Sequence, residues 1–98
     1  MLPEAAQLHA ALRAAVEAGP GYAHAHVNLG LLLENERRDL DGAQAAYHAA
    51  IAADARLARA HTNLGVLLQY ERGDLEGAEA AYRTAIAADP GHPVAHLT

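Results

Sequence analysis

Residues 23–57 read AHAHVNLGLLLENERRDLDGAQAAYHAAIAADARL, and residues 58–92 read ARAHTNLGVLLQYERGDLEGAEAAYRTAIAADPGH. The two blocks are identical at 22 of 35 aligned positions, so the chain contains an internal repeat. Residues 1–22 match the second half of the block, and residues 93–98 match its beginning. We therefore expect one repeat array over 1–98, made of a partial repeat, two whole repeats and the start of another. We also expect this array to be part of a longer one, because at least three repeats are normally needed for stability.

Apolar residues recur within each block at the spacing of an α-helix. The first half of the block has them at i, i+4, i+7 and i+8, and the second half at i, i+3, i+7, i+10 and i+11. Gly, Pro and Asp fall only at helix ends or at positions of close contact, so no strand is expected. The spacing predicts helices near 4–18, 23–36, 40–53, 58–71 and 75–88, with a C-terminal stub from 93.

Residues between the two halves of each block have the chemistry of a helix end followed by a helix start. Gly73 is expected to adopt the left-handed conformation that ends a helix, and Asp39 and Asp74 are expected to cap the next one. Arg38 aligns with Gly73. A positive φ at a residue with a Cβ costs about 1 kcal/mol.

A single helical hairpin of this sequence cannot bury its own apolar stripe, whereas stacked identical hairpins share a continuous core. The period therefore predicts an all-α fold, an antiparallel helix-hairpin solenoid of about five helices plus the stub. Gly30 and Ala43, with their copies Gly65 and Ala78, are expected where paired helices come closest.

Composition excludes several classes of function. The chain has 98 residues, 52% of them hydrophobic, no cysteine and a net charge of −5. No disulfide, thiolate metal site or cysteine nucleophile is therefore available, and the negative charge argues against nucleic acid or an anionic membrane as the partner. The first residues lack the pattern of a secretion signal and no stretch is long enough to span a bilayer, which favours a cytoplasmic location.

The repeats resemble the tetratricopeptide repeat (TPR) family, whose pattern is W-x₂-L-G-x₂-Y, A-x₃-F and P. The first block reads His26-x₂-Leu29-Gly30-x₂-Leu33, Ala43-x₃-Tyr47 and Ala55, and the second reads His61-x₂-Leu64-Gly65-x₂-Leu68, Ala78-x₃-Tyr82 and Pro90. His replaces the family's Trp, Leu replaces its Tyr, and the period is 35 instead of 34. The extra residue falls near Arg37 and Arg72, where it either lengthens the turn or bulges the first helix.

The resemblance implies a TPR-like superhelix whose first helices line a concave groove that binds peptides or extended protein segments. It also implies which positions of this chain face the groove. They are His24, Val27, Asn28, Leu31, Glu34 and Asn35 in the first repeat, Arg59, Thr62, Asn63, Val66, Gln69 and Tyr70 in the second, then Val94, Leu97 and Thr98.

Two binding modes of the family can be compared with these residues. The carboxylate clamp needs Lys residues, which the chain lacks, so that mode is rejected. The asparagine ladder places an Asn before the Leu-Gly of successive repeats, and Asn28 and Asn63 match that position, whereas Thr98 does not. An Asn amide can pair with both the C=O and the N–H of a peptide unit. The alternative is that each Asn bonds an adjacent helix.

Histidine is frequent, and three of the seven recur once per repeat at His26, His61 and His96. Stacked helices lie ~8–10 Å apart, which is too far for one metal site. We expect these histidines to fill the niche of the family's Trp and to donate a hydrogen bond, with metal or pH sensing as the alternative. The chain has no Ser and no phosphate-binding loop, and its paired carboxylates fall at helix ends, so no enzyme, metal or cofactor is expected.

The sequence thus predicts a non-enzymatic module that binds a protein or peptide through Asn28 and Asn63, with specificity tuned by His24, Glu34, Arg59, Gln69 and Tyr70. Two alternatives remain open. One is homotypic assembly, a homo-oligomer formed by end-to-end stacking through the uncapped ends of the array. The other is a regulatory arm of a larger enzyme.

Overall fold

The computed structural model describes residues 10, 12–14, 17, 19 and 21–91, and the regular structure in this part of the chain is helical. The elements are α1 (Ala23–Glu36), α2 (Leu40–Ala53), α3 (Ala58–Val66), a π-helical segment (Leu67–Glu71) and α4 (Leu75–Ala88). These bounds confirm the four predicted helices of the two whole repeats. Residues 10, 12–14 and 17 are also helical, while the rest of the helix predicted over 4–18 and the stub from 93 lie outside the described residues.

The helices pack as two hairpins, α1 with α2 and α3 with α4, and the hairpins pack on each other chiefly through α2 and α3. The predicted all-α repeat fold is confirmed. Alanines and leucines from all four helices form one core around Tyr47, which is completely buried. Because so many core residues are small, the helices can approach closely without large interlocking side chains.

Close contact within each hairpin depends on a glycine in the first helix. A Cβ built on Gly30 would lie 2.5 Å from the Tyr47 ring, and one built on Gly65 would lie 2.7 Å from the Tyr82 ring. Both distances are far below van der Waals contact. The glycines predicted at the helix crossings are therefore what allows the tyrosine rings to lie against the backbone of the first helices.

The turn inside each hairpin ends one helix and begins the next as the sequence predicts. Arg38 and Gly73 have φ of 51° and 68°, and the next backbone N–H bonds six residues back, from Asp39 to Leu33 (2.9 Å) and from Asp74 to Leu68 (2.8 Å). This helix end resembles the Schellman motif, but its closing bond spans one residue more. Each Asp then accepts a hydrogen bond from the backbone N–H three residues on and caps the following helix. Arg38 therefore holds a left-handed conformation that Gly73 adopts without strain.

The extra residue of the 35-residue period lies at the end of the first helix. In the second repeat α3 widens into the π-helical segment, and the Arg72 N–H bonds to the Leu67 carbonyl five residues back (3.2 Å). Of the two arrangements that the sequence left open, the second repeat has the bulged helix. π-Helical turns commonly insert one residue into an α-helix in this way.

Candidate functional site

Most of the predicted groove residues lie on one face that α1 and α3 share, which we call the α1/α3 face. Its members recur along each helix at i, i+4, i+7 and i+11, and each is either half-buried or exposed. They are His24, Asn28, Leu31 and Asn35 on α1, and Arg59, Asn63, Val66 and Tyr70 on α3 and its π-helical segment.

Four of the twelve described groove residues do not belong to this face, and two of these are buried. Val27 is 0% exposed and Thr62 is 2% exposed, and both side chains lie inside the core. Each is one position before a face residue and is therefore rotated about 100° around the helix, toward the packed hairpins. The expectation that Val27 and Thr62 line a groove is corrected accordingly.

Glu34 and Gln69 hold the two helices of each hairpin together. The Tyr47 hydroxyl donates a hydrogen bond to Glu34 Oε1 (2.9 Å), and the Tyr82 hydroxyl donates to Gln69 Oε1 (2.8 Å). Burial, with the bond to Glu34, raises the pKa of Tyr47 far above its ordinary value, and burial also raises the pKa of Tyr82. Both phenols are therefore fixed as neutral donors, and both acceptors are half-buried partners of the core.

Arg59 joins the two repeats at one end of the α1/α3 face. Its Nη2 donates to Asn28 Oδ1 at 2.7 Å, and its Nη1 lies 3.4 Å from His24 Nδ1. A guanidinium can only donate, so the His24 nitrogen accepts in this weaker contact. The bond fixes the Asn28 amide with its oxygen toward α3, which is the contact to an adjacent helix that the sequence analysis kept as an alternative.

Asn63 is the copy of Asn28, but its surroundings differ. Its side chain is half-buried and forms no hydrogen bond with any described residue. The residue that aligns with Arg59 in the following block is Val94, which has no side-chain donor. The Asn63 amide is therefore available to pair with another molecule, whereas Asn28 keeps only its NH₂ group for that purpose.

The centre and the far end of the α1/α3 face are less polar. Leu31 and Val66 are half-buried and pack against the core, so each presents part of an apolar side chain outward. Asn35 is exposed, and the Tyr70 ring is 73% exposed on the π-helical segment. The face thus has an amide and cationic end, an apolar centre and an aromatic end.

The histidines expected to replace the family's Trp can be checked at two positions. His26 and His61 are both buried, and His61 Nε2 donates to the Ala55 carbonyl oxygen at 2.9 Å. The structural role predicted for His61 is confirmed, while His96 lies outside the described residues. Among the residues described, no three His, Asp or Glu side chains come together as metal ligands.

The charged contacts between repeats do not follow from the repeat pattern of the sequence. Arg38 donates to both carboxylate oxygens of Glu71 (3.2 and 2.5 Å), and Arg72 pairs with Asp41. The Arg38 contact could not be found by comparing the repeats, because Gly73 occupies the position of Arg38 in the next copy. The Arg59 contacts were missed for the same reason, since His24 occupies that position in the previous copy.

Comparison with known proteins gives the family. A family model described as tetratricopeptide repeat matches residues 36–93, and no curated protein matches the chain. Repeats of this kind generally mediate protein–protein interaction and are typically non-catalytic. No helix in the described part of the chain is long and apolar enough to cross a bilayer. Since the match covers more than half of the sequence and the hairpins have the expected helical fold, the chain belongs to the tetratricopeptide repeat family.

Proposed function

We propose that this chain binds an extended segment of a partner protein across the α1/α3 face and carries out no catalysis of its own. The family generally mediates protein–protein interaction, which supports binding as the class of function. The net charge of −5 supports a protein rather than a nucleic acid as the ligand.

The observation that carries the proposal is the free amide of Asn63. A half-buried amide that bonds no described residue can offer one acceptor and two donors to a ligand. These groups match the N–H and C=O of one peptide unit. A ligand whose backbone pairs with the Asn63 amide would replace water there. The Asn63 side chain is half-buried and so is already partly ordered before the ligand binds.

Asn28 and Arg59 extend this polar site by one repeat. Because Arg59 occupies the oxygen of Asn28, the Asn28 NH₂ group is oriented to donate to a carbonyl of the ligand. The remaining N–H groups of Arg59 can donate as well. A ligand chain that crosses from Asn63 to Asn28 would therefore meet an amide with free donors and a free acceptor at Asn63. At Asn28 it would meet donors alone.

Leu31 and Val66 supply the apolar contact that hydrogen bonds alone lack. Each is half-buried in the free protein and lies one helical turn from an Asn of the face. Apolar side chains of the ligand that cover these two residues add about 25 cal/mol for each Å² of surface removed from water. Tyr70 offers a ring at the far end for a further apolar or aromatic side chain.

The proposal can be tested with 12-residue peptides selected from a random library on the immobilised protein. Asn63→Ala should weaken the selected peptides by about fivefold, since one hydrogen bond contributes about 1 kcal/mol. Asn28→Ala should weaken them less, because its oxygen already bonds Arg59 in the free protein. Methylating single backbone nitrogens of the best peptide should identify the peptide unit that pairs with Asn63.

Gln44→Ala serves as a matched control, because Gln44 is an amide of similar burial on α2, away from this face. It should leave the affinity unchanged. If Asn63→Ala binds the peptides as tightly as the wild type, or if Gln44→Ala weakens them equally, the α1/α3 face is not the binding site.

A further inference from the structure

The outer side of α4 carries a stripe of apolar and charged residues in which Tyr82 is buried, Ile86 is half-buried, and Leu75, Glu79 and Arg83 are exposed. Its members are spaced at i, i+4, i+7, i+8 and i+11, so they lie on one side of the helix. They are Leu75, Glu79, Tyr82, Arg83 and Ile86. With Gln69 and Ala78 they line an open cavity of about 510 Å³. We call this surface the α4 face.

The equivalent surface on α2 shows what coverage does to such a stripe. There Leu40 and Ile51 are half-buried because α3 packs on α2. On α4 the copy of Leu40 is Leu75, which is 65% exposed. Tyr47 and Tyr82 are both buried, and Ile51 and Ile86 are both half-buried, so the two surfaces differ in exposure at the leucine. No described helix packs over Leu75 on α4.

Two side chains distinguish the α4 face from its copy on α2. Glu79 and Arg83 replace the uncharged Gln44 and His48. In the monomer they pair with each other at 2.5 Å, and both are exposed. An exposed pair at i, i+4 contributes little to stability and is readily exchanged for another partner. The face therefore presents the apolar side chains of Leu75 and Ile86 beside one acid and one base.

We propose that the α4 face binds the α4 face of a second copy of this chain, with the two helices antiparallel around a two-fold axis. In such a contact residues equally distant from the axis meet each other. An axis at about residue 81 brings Glu79 opposite Arg83 of the second copy. The same axis brings Leu75 close to Ile86 of that copy. One placement of the axis thus satisfies both the charged and the apolar pairs.

This charge pattern distinguishes a two-fold contact from end-to-end stacking. A stack that continued the array would place a first-type helix on the α4 face, and the chain's own first-type helices have no charge pair that complements Glu79 and Arg83 in this way. The two-fold contact forms the Glu79–Arg83 pair twice and closes on itself, so it yields a dimer and no larger assembly.

The dimer should be weak and reversible. α4 has 14 residues and is therefore about 21 Å long. One helix pair of this length buries less than the ~800 Å² per partner of a standard stable interface. Because the interface is below standard size, we expect a dissociation constant between about 10 μM and 1 mM, which sedimentation equilibrium on the purified chain can measure.

The decisive experiment uses two variants that should not self-associate but should associate with each other. Glu79→Arg leaves two bases on the face and Arg83→Glu leaves two acids, so each variant repels its own copy. Each should dimerise at least about tenfold more weakly than the wild type, because like charges meet at the interface. Mixed in equal amounts, they should form a heterodimer, since each base then faces an acid.

The matched controls are Gln44→Arg and His48→Glu, made at the copied positions on α2. Their average mass in solution should equal that of the wild type at every concentration. Leu75→Asp should abolish the dimer without changing the melting temperature of the monomer. A wild-type chain that stays monomeric to about 1 mM would overturn the proposal. A mixture of the two charge variants that stays monomeric would also overturn it, as would a mass that grows beyond the dimer. So would a Leu75→Asp monomer that melts at a lower temperature than the wild type.

Discussion

At the scale of single residues, Thr62 is a polar group in an apolar position. Its hydroxyl is buried and has no hydrogen-bond partner in the described structure, while the copied position in the first repeat holds Val27. A buried hydroxyl that loses its bonds to water without gaining others destabilises the fold. Its shape is nonetheless close to that of valine, so the second repeat tolerates it.

Thr62→Val should therefore raise the free energy of unfolding by about 1 kcal/mol, because it removes the unpaired hydroxyl and keeps the volume. Urea denaturation followed by circular dichroism measures this change. Thr84→Val is the control, since Thr84 is exposed and its hydroxyl bonds the Ala80 carbonyl, and it should change stability little. A less stable Thr62→Val protein would mean that the hydroxyl has a partner after all.

At the scale of elements, each hairpin depends on a glycine that faces a tyrosine. Alanine is the better helix former by about 1 kcal/mol. Its methyl group at Gly65, however, would lie 2.7 Å from the Tyr82 ring. The ring is buried and held by its bond to Gln69, so it cannot move aside easily. Crowding a packed core costs about 1–3 kcal/mol, which is the larger of the two effects.

Gly65→Ala should accordingly lower the free energy of unfolding by about 1 kcal/mol, as measured by thermal and urea denaturation. The double variant with Tyr82→Leu supplies the control, because a smaller side chain opposite removes the clash. In the Tyr82→Leu background the same glycine replacement should be neutral or stabilising. Equal losses in both backgrounds would show that the ring is not what the methyl group meets.

The end of α3 is the element that the repeat comparison described least well. The sequence placed the extra residue of the 35-residue period near the turn but left its form open. The structure has a π-helical turn there in the second repeat, with Tyr70 exposed on it. Which backbone form accommodates one extra residue depends on how the helix end packs, and no single-residue preference specifies it.

At the scale of the whole molecule, charged side chains at the turns join one repeat to the next. Arg38 of the first turn bonds Glu71 at the end of the second repeat's first helix, and Arg72 pairs with Asp41. The hydrogen bond from Arg38 lowers the pKa of Glu71 below its ordinary value of 4.5. The pair therefore stabilises the folded state when the carboxyl is ionised.

The resulting pH dependence has a definite sign. A carboxyl whose pKa is lower in the folded than in the unfolded state contributes its stability above the unfolded value, and loses it as pH falls through the folded value. Glu71→Gln should thus be less stable than the wild type at pH 7, and the two should converge as the pH falls below about 4.5. Salt should reduce the difference at pH 7.

Glu36→Gln is the matched control for this measurement, because Glu36 occupies the same position in the first repeat and forms no ion pair with a described residue. Its stability relative to the wild type should not follow this pH profile. A Glu71→Gln difference that persists unchanged at pH 3 would show that the carboxylate acts by some means other than its bond to Arg38.

The sequence by itself determined the helices and their caps, the left-handed residues Arg38 and Gly73, and the glycine contacts. All of these follow from short-range spacing, which is the same in both repeats. The sequence also indicated the side of α1 and α3 that holds Asn28 and Asn63. Only the tertiary structure decided that Val27 and Thr62 are buried and that Glu34 and Gln69 bond tyrosines. It also decided that Arg59 occupies one asparagine and leaves the other open. These features depend on which side chain of one repeat meets which of the next, and the copies differ at the positions where they meet.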